Sequence, residues 1–468
     1  MTATDTRPAL DAGLDGATDA LVAWTVAART TPLPAEVEHH VRRLLVDYVA
    51  AVVPGSRTQP AQAVAGHVAT SYGAAPGSGA TAVGLGRVSA PGAALLNGTS
   101  CHSLEVDDGY TPGSVHPTSV AFPAVLAEAE ALGSDTETTV RALAVGHEAV
   151  SRLAAAGHPA TWRNHFHNTP LAGVVGATCG VAVLHGLDED TLHHALGIAA
   201  SHAGGLFAFL GQSAEVKRMH PGKAARDAVA SVELAVAGLT GPRAIIEAKH
   251  GYVEAFAADG FDVERLLGGL GERWVMLDSY VKPYPSCRHL HGPIDAVLAL
   301  KRDGVSAADV ASVDVATYTV ASHHASTEVD SLLDAQMSIP FAIATTLVHD
   351  EVGLTEFDDA ARLDPAVRSL VERVTVRADA QADADYPTLR TAVVTLRLTD
   401  GREVVERVPV PYGEPGNPVS DEEMTAKMVR LCGPVIGADA ARSLADDLWA
   451  FTSLDVVAHV DEHCRGVA

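Results

Sequence analysis

PAEVEHHVRRLLVDYVAAVV, Pro34–Val53, places Val37, Val41, Leu44, Leu45, Tyr48 and Val52 at spacings of mostly three and four, which lines them along one face of an α-helix. The same period continues on either side. From about Asp19 to Leu270 it recurs in SVAFPAVLAEAEALG (Ser119–Gly133), ETTVRALAVGHEAVSRLAAAG (Glu137–Gly157), GKAARDAVASVELAVAGLTG (Gly222–Gly241) and DVERLLGGL (Asp262–Leu270), many of them closed by glycine. A polar Gly/Ser segment, SYGAAPGSGA (Ser71–Ala80), interrupts the series. These residues predict a helical domain.

The texture changes near residue 275. VASVDVATYTVAS (Val310–Ser322), RVTVRADA (Arg373–Ala380) and TAVVTLRLTDGREVVERVPV (Thr391–Val410) cluster β-branched residues, and Asp400-Gly401 between two such runs signals a hairpin. Helical stretches, LHGPIDAVLALKRDG and MSIPFAIATTLVHD, lie between them. After PYGEPGNP the chain returns to helix, with Ser420 and Glu423 at capping-box spacing. A helical tail this short has to pack on something larger. The expected fold is therefore mainly α: a large all-helical domain (1–274) completed by C-terminal helices (413–468), plus a smaller α+β lid domain (275–412).

Composition narrows the function. With 468 residues, 47% of them hydrophobic, the chain has enough apolar material for a substantial core. A net charge of −25 argues against nucleic acid or anionic lipid as a partner. The least polar run, PLAGVVGATCGVAVLHG (Pro170–Gly186), is shorter than the ~20 residues a bilayer requires and reads as a buried helix. Five cysteines, odd in number and without a CxxC pair, point to reduced thiols and a cytoplasmic setting, and the N-terminus lacks the pattern of a signal peptide. No Walker A, GxSxG, HExxH or EF-hand pattern is present, and GLGRVSAPG lacks the context of a dinucleotide fingerprint, so no cofactor is expected.

Four clusters carry chemistry. EVDDGYTPGSVHP (Glu105–Pro117) packs three carboxylates, Thr111 and His116 into a turn; a solvated loop would explain any single one of them, but their density suits proton transfer near neutral pH. RNHFHNTP (Arg163–Pro170) sets His165 and His167 two apart, with no third ligand at recognisable spacing, so no metal is expected. AEVKRMHPGKAARD (Ala214–Asp227) gathers Lys217, Arg218 and His220 in an otherwise acidic chain, and Gly222 is read as bringing a helix N-terminus close to an anion. VKPYPSCRHLHGP (Val281–Pro293) presents Lys282, Cys287, Arg288, His289 and His291 on a loop stiffened by proline.

Taken in order, EVDDGYTPGSVHP, HFHNTP, VKRMHPGKAARDAVASVELAVAGLTGP, GYVEAF, KPYPSCRHLHG and PYGEPGNPVSDEE resemble the MmgE/PrpD family over nearly the whole chain, with KRMHPGKAA and KPYPSC the most specific parts. The resemblance implies a helical domain with an α+β lid, a homodimer, a cleft-borne active site and a small di- or tricarboxylate substrate without an essential organic cofactor. Members include 2-methylcitrate dehydratase, cis-aconitate decarboxylase and iminodisuccinate epimerase. By motif position the family's pocket groups fall on Glu105 or Asp107, His116, His167, Lys217, Lys282 and Cys287. In animal-type cis-aconitate decarboxylases the place of Cys287 resembles one held by histidine, and Phe341 stands where tyrosine is expected. The Lys-Pro-Tyr-Pro-x-Cys form looks more like the dehydratase branch.

The resulting expectation is a 2-methylcitrate dehydratase-like hydro-lyase. Asp107, His116, His167, Lys217, Lys282 and Cys287 are the catalytic candidates, and Glu105, Thr111, Arg218, His220, Arg288 and His291 the substrate-binding ones. His116 or His167 would move the carbon-bound proton; His167, Lys282 or Cys287 would protonate the departing hydroxyl. Decarboxylation or epimerisation of a related polycarboxylate, and a non-catalytic carboxylate-binding protein, are the rival readings.

Overall fold

The computed structural model describes residues 13–75, 78–209 and 214–465. The N-terminal stretch read for a signal peptide lies mostly outside the described residues, as do Pro76 and Gly77 of the Gly/Ser segment. The chain is mainly α and divides into two compact units. The first comprises Met1–Ser103, Asp107–Ser279 and Asp421–Ala468; the second comprises Leu104–Val106 and Tyr280–Ser420.

The first unit is helical, apart from a two-stranded ribbon pairing Ala80–Ala82 with Gly86–Val88 among its described residues. Helix Ala35–Gly55 buries the whole predicted face, Val37, Val41, Leu44, Leu45, Tyr48 and Val52, and its later turns are buried on the other side as well. Helix Thr136–Gly157 starts where the Asp135 carboxylate accepts from Thr138 N–H, and it packs closely on helix Asn168–His185. The apolar run Pro170–Gly186 is thus a buried helix, ended by Gly186 at φ 61°. No helix among the described residues is long and apolar enough to cross a membrane.

The C-terminal helix Asp421–Ile436, with Met424, Met428 and Leu431 buried, packs on Ala35–Gly55 and is joined to it by an ion pair between Lys427 Nζ and Asp47 Oδ1. Both partners are buried. Burial pushes the Asp47 carboxyl up to about 6 even though Lys427 works against the rise. Breaking one half of such a pair would leave an unanswered charge in the core.

The second unit holds a four-stranded sheet. Strand Val310–Thr317 runs parallel to Val374–Ala378 and antiparallel to Ala392–Leu398, which in turn pairs antiparallel with Glu403–Val408. The last two strands form the hairpin expected at Asp400-Gly401: Gly401 takes φ 90°, and the Asp400 carboxylate accepts from Arg402 N–H at 3.0 Å. Helices His291–Arg302 and Ile339–Val348 supply Ile294, Val297 and Phe341 to a core shared with Val313, Val315, Val394 and Leu396. Phe341 is fully buried edge-on to Phe357, ring centroids 5.5 Å apart, so it serves as packing in this unit.

Candidate functional site

Helix Ala90–Cys101 of the first unit ends at His102, whose buried ring donates through Nδ1 to Asp107 Oδ2 at 2.7 Å. The chain then passes a short turn, Thr111–Gly113, closed by pairing of Tyr110 with Val115, and delivers His116 just before helix Thr118–Leu132. His116 Nδ1 lies 2.7 Å from the Asp108 carbonyl and 3.6 Å from Asp107 Oδ2. A carbonyl only accepts, so Nδ1 carries the proton and Nε2 is the basic nitrogen of neutral His116. The His102 and His116 rings are 4.7 Å apart.

His167, at the start of helix Asn168–His185, and His220, on helix Val216–Val236, join from other parts of the chain. Their Nδ1 atoms are 3.1 Å apart, and the His167 ring lies 6.3 Å from that of His102. One Nδ1 must donate and the other accept, so the pair shares a proton as two neutral imidazoles. Burial holds His167 well below the ordinary histidine value, assisted by His220, His102 and Lys217. Burial likewise lowers His220 to about 4, with His102, Lys223 and Lys217 adding to the effect. Phe207 and Phe209 flank His167 with ring centroids at 5.4 and 5.9 Å, an apolar wall that favours the neutral form.

These shifts have a testable sign. A histidine with a depressed folded pKa takes up its proton first in the unfolded chain, so its stabilisation is complete above pH 6.5 and drains away as pH falls toward its folded value. In His220→Gln, the loss of unfolding free energy between pH 6.5 and 4 is expected to shrink by up to about 1.4 kcal/mol per pH unit relative to the unaltered protein. Urea denaturation at fixed pH values measures this, and identical slopes for the two proteins would contradict a buried neutral His220.

Behind His116 stands a pair that the sequence did not single out. His147, fully buried on helix Thr136–Gly157, donates from Nε2 to Asp108 Oδ2 at 3.0 Å, while Asp108 Oδ1 accepts from Thr118 N–H at 3.2 Å. Asp108 is thereby fixed at both oxygens, and its carbonyl orients His116. His102 was equally missed. It lies beside the carboxylate-rich stretch, and that proximity was the one signal available.

Lys217 and Arg218 occupy the first turn of helix Val216–Val236, and both are buried. Arg218 Nε pairs with Glu215 at 2.6 Å. The expectation for Gly222 is corrected here, because the helix starts six residues earlier. Gly222 instead lies where this helix crosses Ala90–Cys101: a Cβ there would sit 2.1 Å from Leu95 O, and one on Gly98 would sit 2.7 Å from Gly222 Cα. The glycine serves close helix packing. Thr111 is half-buried in its turn, and His165 is exposed at φ 68° while His167 is buried.

The second unit holds the remaining candidates. Glu105, in the left-handed region at φ 55°, pairs with Lys282 at 3.1 Å, and both are buried. A non-glycine residue in that region is uncommon and marks a position fixed by its surroundings. Arg288 bonds Glu414 at 2.8 Å and the Tyr412 and Pro411 carbonyls, and it donates to His291 Nδ1 at 2.8 Å; both side chains are thus tied into a local network. Cys287 Sγ lies 4.0 Å from His324 Nε2. Burial works to raise this thiol, but the His324 side chain and the His289 backbone N–H together bring it down to about 7.

The structure thus gathers His102, Asp107, His116, His167, His220 and Lys217 in the first unit and Glu105, Lys282, Cys287, His289 and His324 in the second. Comparison with known proteins places the chain in a family. Residues 19–264 match the MmgE/PrpD N-terminal domain and residues 284–450 the MmgE/PrpD C-terminal domain. A cis-aconitate decarboxylase of Aspergillus terreus is 26% identical over 92% of both chains. The cis-aconitate decarboxylase-like protein oryM of Aspergillus oryzae is 27% identical over 97% of this chain and 98% of its own. The cis-aconitate decarboxylase of Mus musculus is 25% identical over 75% of this chain and 74% of its own. The chain belongs to the MmgE/PrpD family.

Proposed function

We propose that the protein is a lyase acting on a small di- or tricarboxylate, and that it eliminates water by acid/base chemistry in the manner of a 2-methylcitrate dehydratase. The observation that carries this reading is the presence of two separate imidazole groups in one cluster: His116, oriented by Asp108 and Asp107, and the neutral pair His167 and His220. Elimination of water needs a base to take a proton from the carbon beside a carboxylate and an acid to protonate the leaving hydroxyl. His116, with Nε2 basic, suits the first task. The His167/His220 pair suits the second as a relay: neutral at rest, it takes up the proton that His116 has abstracted and, a strong acid once charged, passes it to the hydroxyl, which leaves as water. Buried Lys217 supplies positive charge for a substrate carboxylate where few waters compete. Lys282 and Cys287 remain candidates in their own unit, each to be tested by its own variant.

A second reading is loss of carbon dioxide, favoured by the names of the curated relatives at 25–27% identity. Decarboxylation needs only one group to protonate the carbanion left behind. The purified protein should be incubated in deuterated water with 2-methylcitrate, citrate and cis-aconitate, and the products followed by mass and by NMR. The expected result is loss of water from a hydroxy acid, with deuterium entering the carbon beside the carboxylate in the reverse reaction. Release of carbon dioxide without any dehydration would transfer the assignment to the second reading, and no turnover of any of the three acids would defeat both.

A further inference from the structure

We propose that Cys287, His289 and His324 form a binding site for a borderline-soft divalent cation, with Zn²⁺ as its probe. One ligand atom from each lies within 4.8 Å of the other two, and all three residues are partly exposed, so an ion can enter. The grouping shares Cys287 with the catalytic candidates but uses none of the imidazoles on which the proposed reaction rests. It is also invisible in the sequence, since 37 residues separate Cys287 from His324.

Three geometric facts carry the assignment. In a tetrahedral zinc site with Zn–N near 2.0–2.1 Å and Zn–S near 2.3 Å, neighbouring donor atoms stand about 3.5 Å apart and two bound imidazole centroids roughly 5 Å apart. The His289 and His324 centroids are 5.3 Å apart, already at that spacing, and the Cys287 Sγ to His324 Nε2 distance of 4.0 Å needs to close by only about half an ångström. Each imidazole also has its far nitrogen held. His324 Nδ1 donates to the Met337 carbonyl at 3.0 Å, which leaves the Nε2 lone pair facing the sulfur. His289 Nδ1 meets the Tyr318 hydroxyl at 2.6 Å, and the buried Tyr318 ring is stacked on Tyr386 at 4.4 Å. An outer partner of this kind fixes ring orientation in metal sites.

The backbone around the three residues is stitched down. Cys287 N–H donates to the Gln336 carbonyl at 2.8 Å, and Ile339 N–H to the His324 carbonyl at 2.8 Å. The cations nearby are answered by carboxylates: Arg288 and Arg390 by Glu414 at 2.8 and 3.7 Å, Lys282 by Glu105 at 3.1 Å. One sulfur and two nitrogens select zinc-like ions over magnesium or calcium, which require oxygen ligands. Three protein ligands leave a fourth position for water or another donor.

The full-length protein, reduced and freed of metal, should be titrated with Zn²⁺ and separately with Co²⁺. The expected result is one equivalent of Zn²⁺ bound, and a thiolate-to-cobalt charge-transfer band in the Co²⁺ form. That band is assignable to Cys287, because Cys101, Cys179, Cys432 and Cys464 are buried. Cys287→Ser and His324→Gln should each weaken Zn²⁺ binding by more than about 10-fold. His102→Gln, in the other group with metal-ligand spacing, should leave it unchanged. Absence of stoichiometric binding overturns the proposal, as does binding that survives Cys287→Ser or is lost instead in His102→Gln. Should a variant fail to fold, the cobalt spectrum of the unaltered protein decides alone, and absence of a thiolate band counts against the site.

Discussion

His116→Gln is expected to lower kcat/KM on the true substrate by about 10²–10⁴-fold, the usual worth of a positioned acid or base. His116 is the more exposed member of its ring pair with His102, and its Nδ1 is already committed to the Asp108 carbonyl. Glutamine can keep that hydrogen bond through its amide but has no basic nitrogen to offer. Asp107→Asn should follow in the same direction, because its Oδ2 holds His102 at 2.7 Å and stands 3.6 Å from His116. The fold should survive His116→Gln, since the side chain lies at the edge of the buried cluster, and the thermal midpoint provides that control. Activity of the His116 variant within a few-fold of the unaltered enzyme would remove His116 from the chemistry and pass the role of base to His167.

Gly222→Ala is expected to cost at least about 3 kcal/mol of stability, at the upper end of overpacking effects. The added methyl would sit 2.1 Å from Leu95 O, 2.5 Å from Thr99 Oγ1 and 2.8 Å from Thr99 N, so two helix backbones have to separate. No flexible side chain end is available to give way. Because Lys217 and His220 ride on the same helix, protein that still folds should also lose activity. Gly66→Ala is the control: this glycine is exposed in helix Gln59–Ser71 with nothing within 4 Å of its added Cβ, and alanine there should raise stability by about 0.5–1 kcal/mol. Denaturant unfolding of the two variants side by side measures both effects, and a Gly222→Ala loss no larger than that of an ordinary surface change would refute the close crossing.

Much of the architecture was legible because local rules and tertiary packing agree. Val37 through Val52 keep helical period and are buried on it, and Asp400-Gly401 makes the hairpin its dipeptide signals. The start of helix Val216–Val236 was not legible. Pro221 and Gly222 look like the edge of a helix by local chemistry, yet they lie inside one, because the crossing with Gly98 demands a residue without a side chain there. The site divides in the same way. Asp107, His116, His167 and His220 stood out because charge and imidazole crowd short motifs. His147 and His324 did not, since each is a single histidine brought by folding to a partner 39 or 37 residues away.

The ion pair between Lys427 and Asp47 spans 380 residues of chain. On a ribosome adding about 5–20 residues per second, Asp47 emerges roughly 20–80 s before the lysine that answers it. Throughout that interval the N-terminal helices have no C-terminal helix to close over them, and the Asp47 carboxylate has every reason to stay in water. The helical unit therefore completes its folding only after translation is nearly finished, whereas Tyr280–Ser420 is continuous and can form its sheet while the last helices are still being made. A nascent chain stalled before residue 427 should accordingly be protease-sensitive in its first hundred residues, however long it is given to fold.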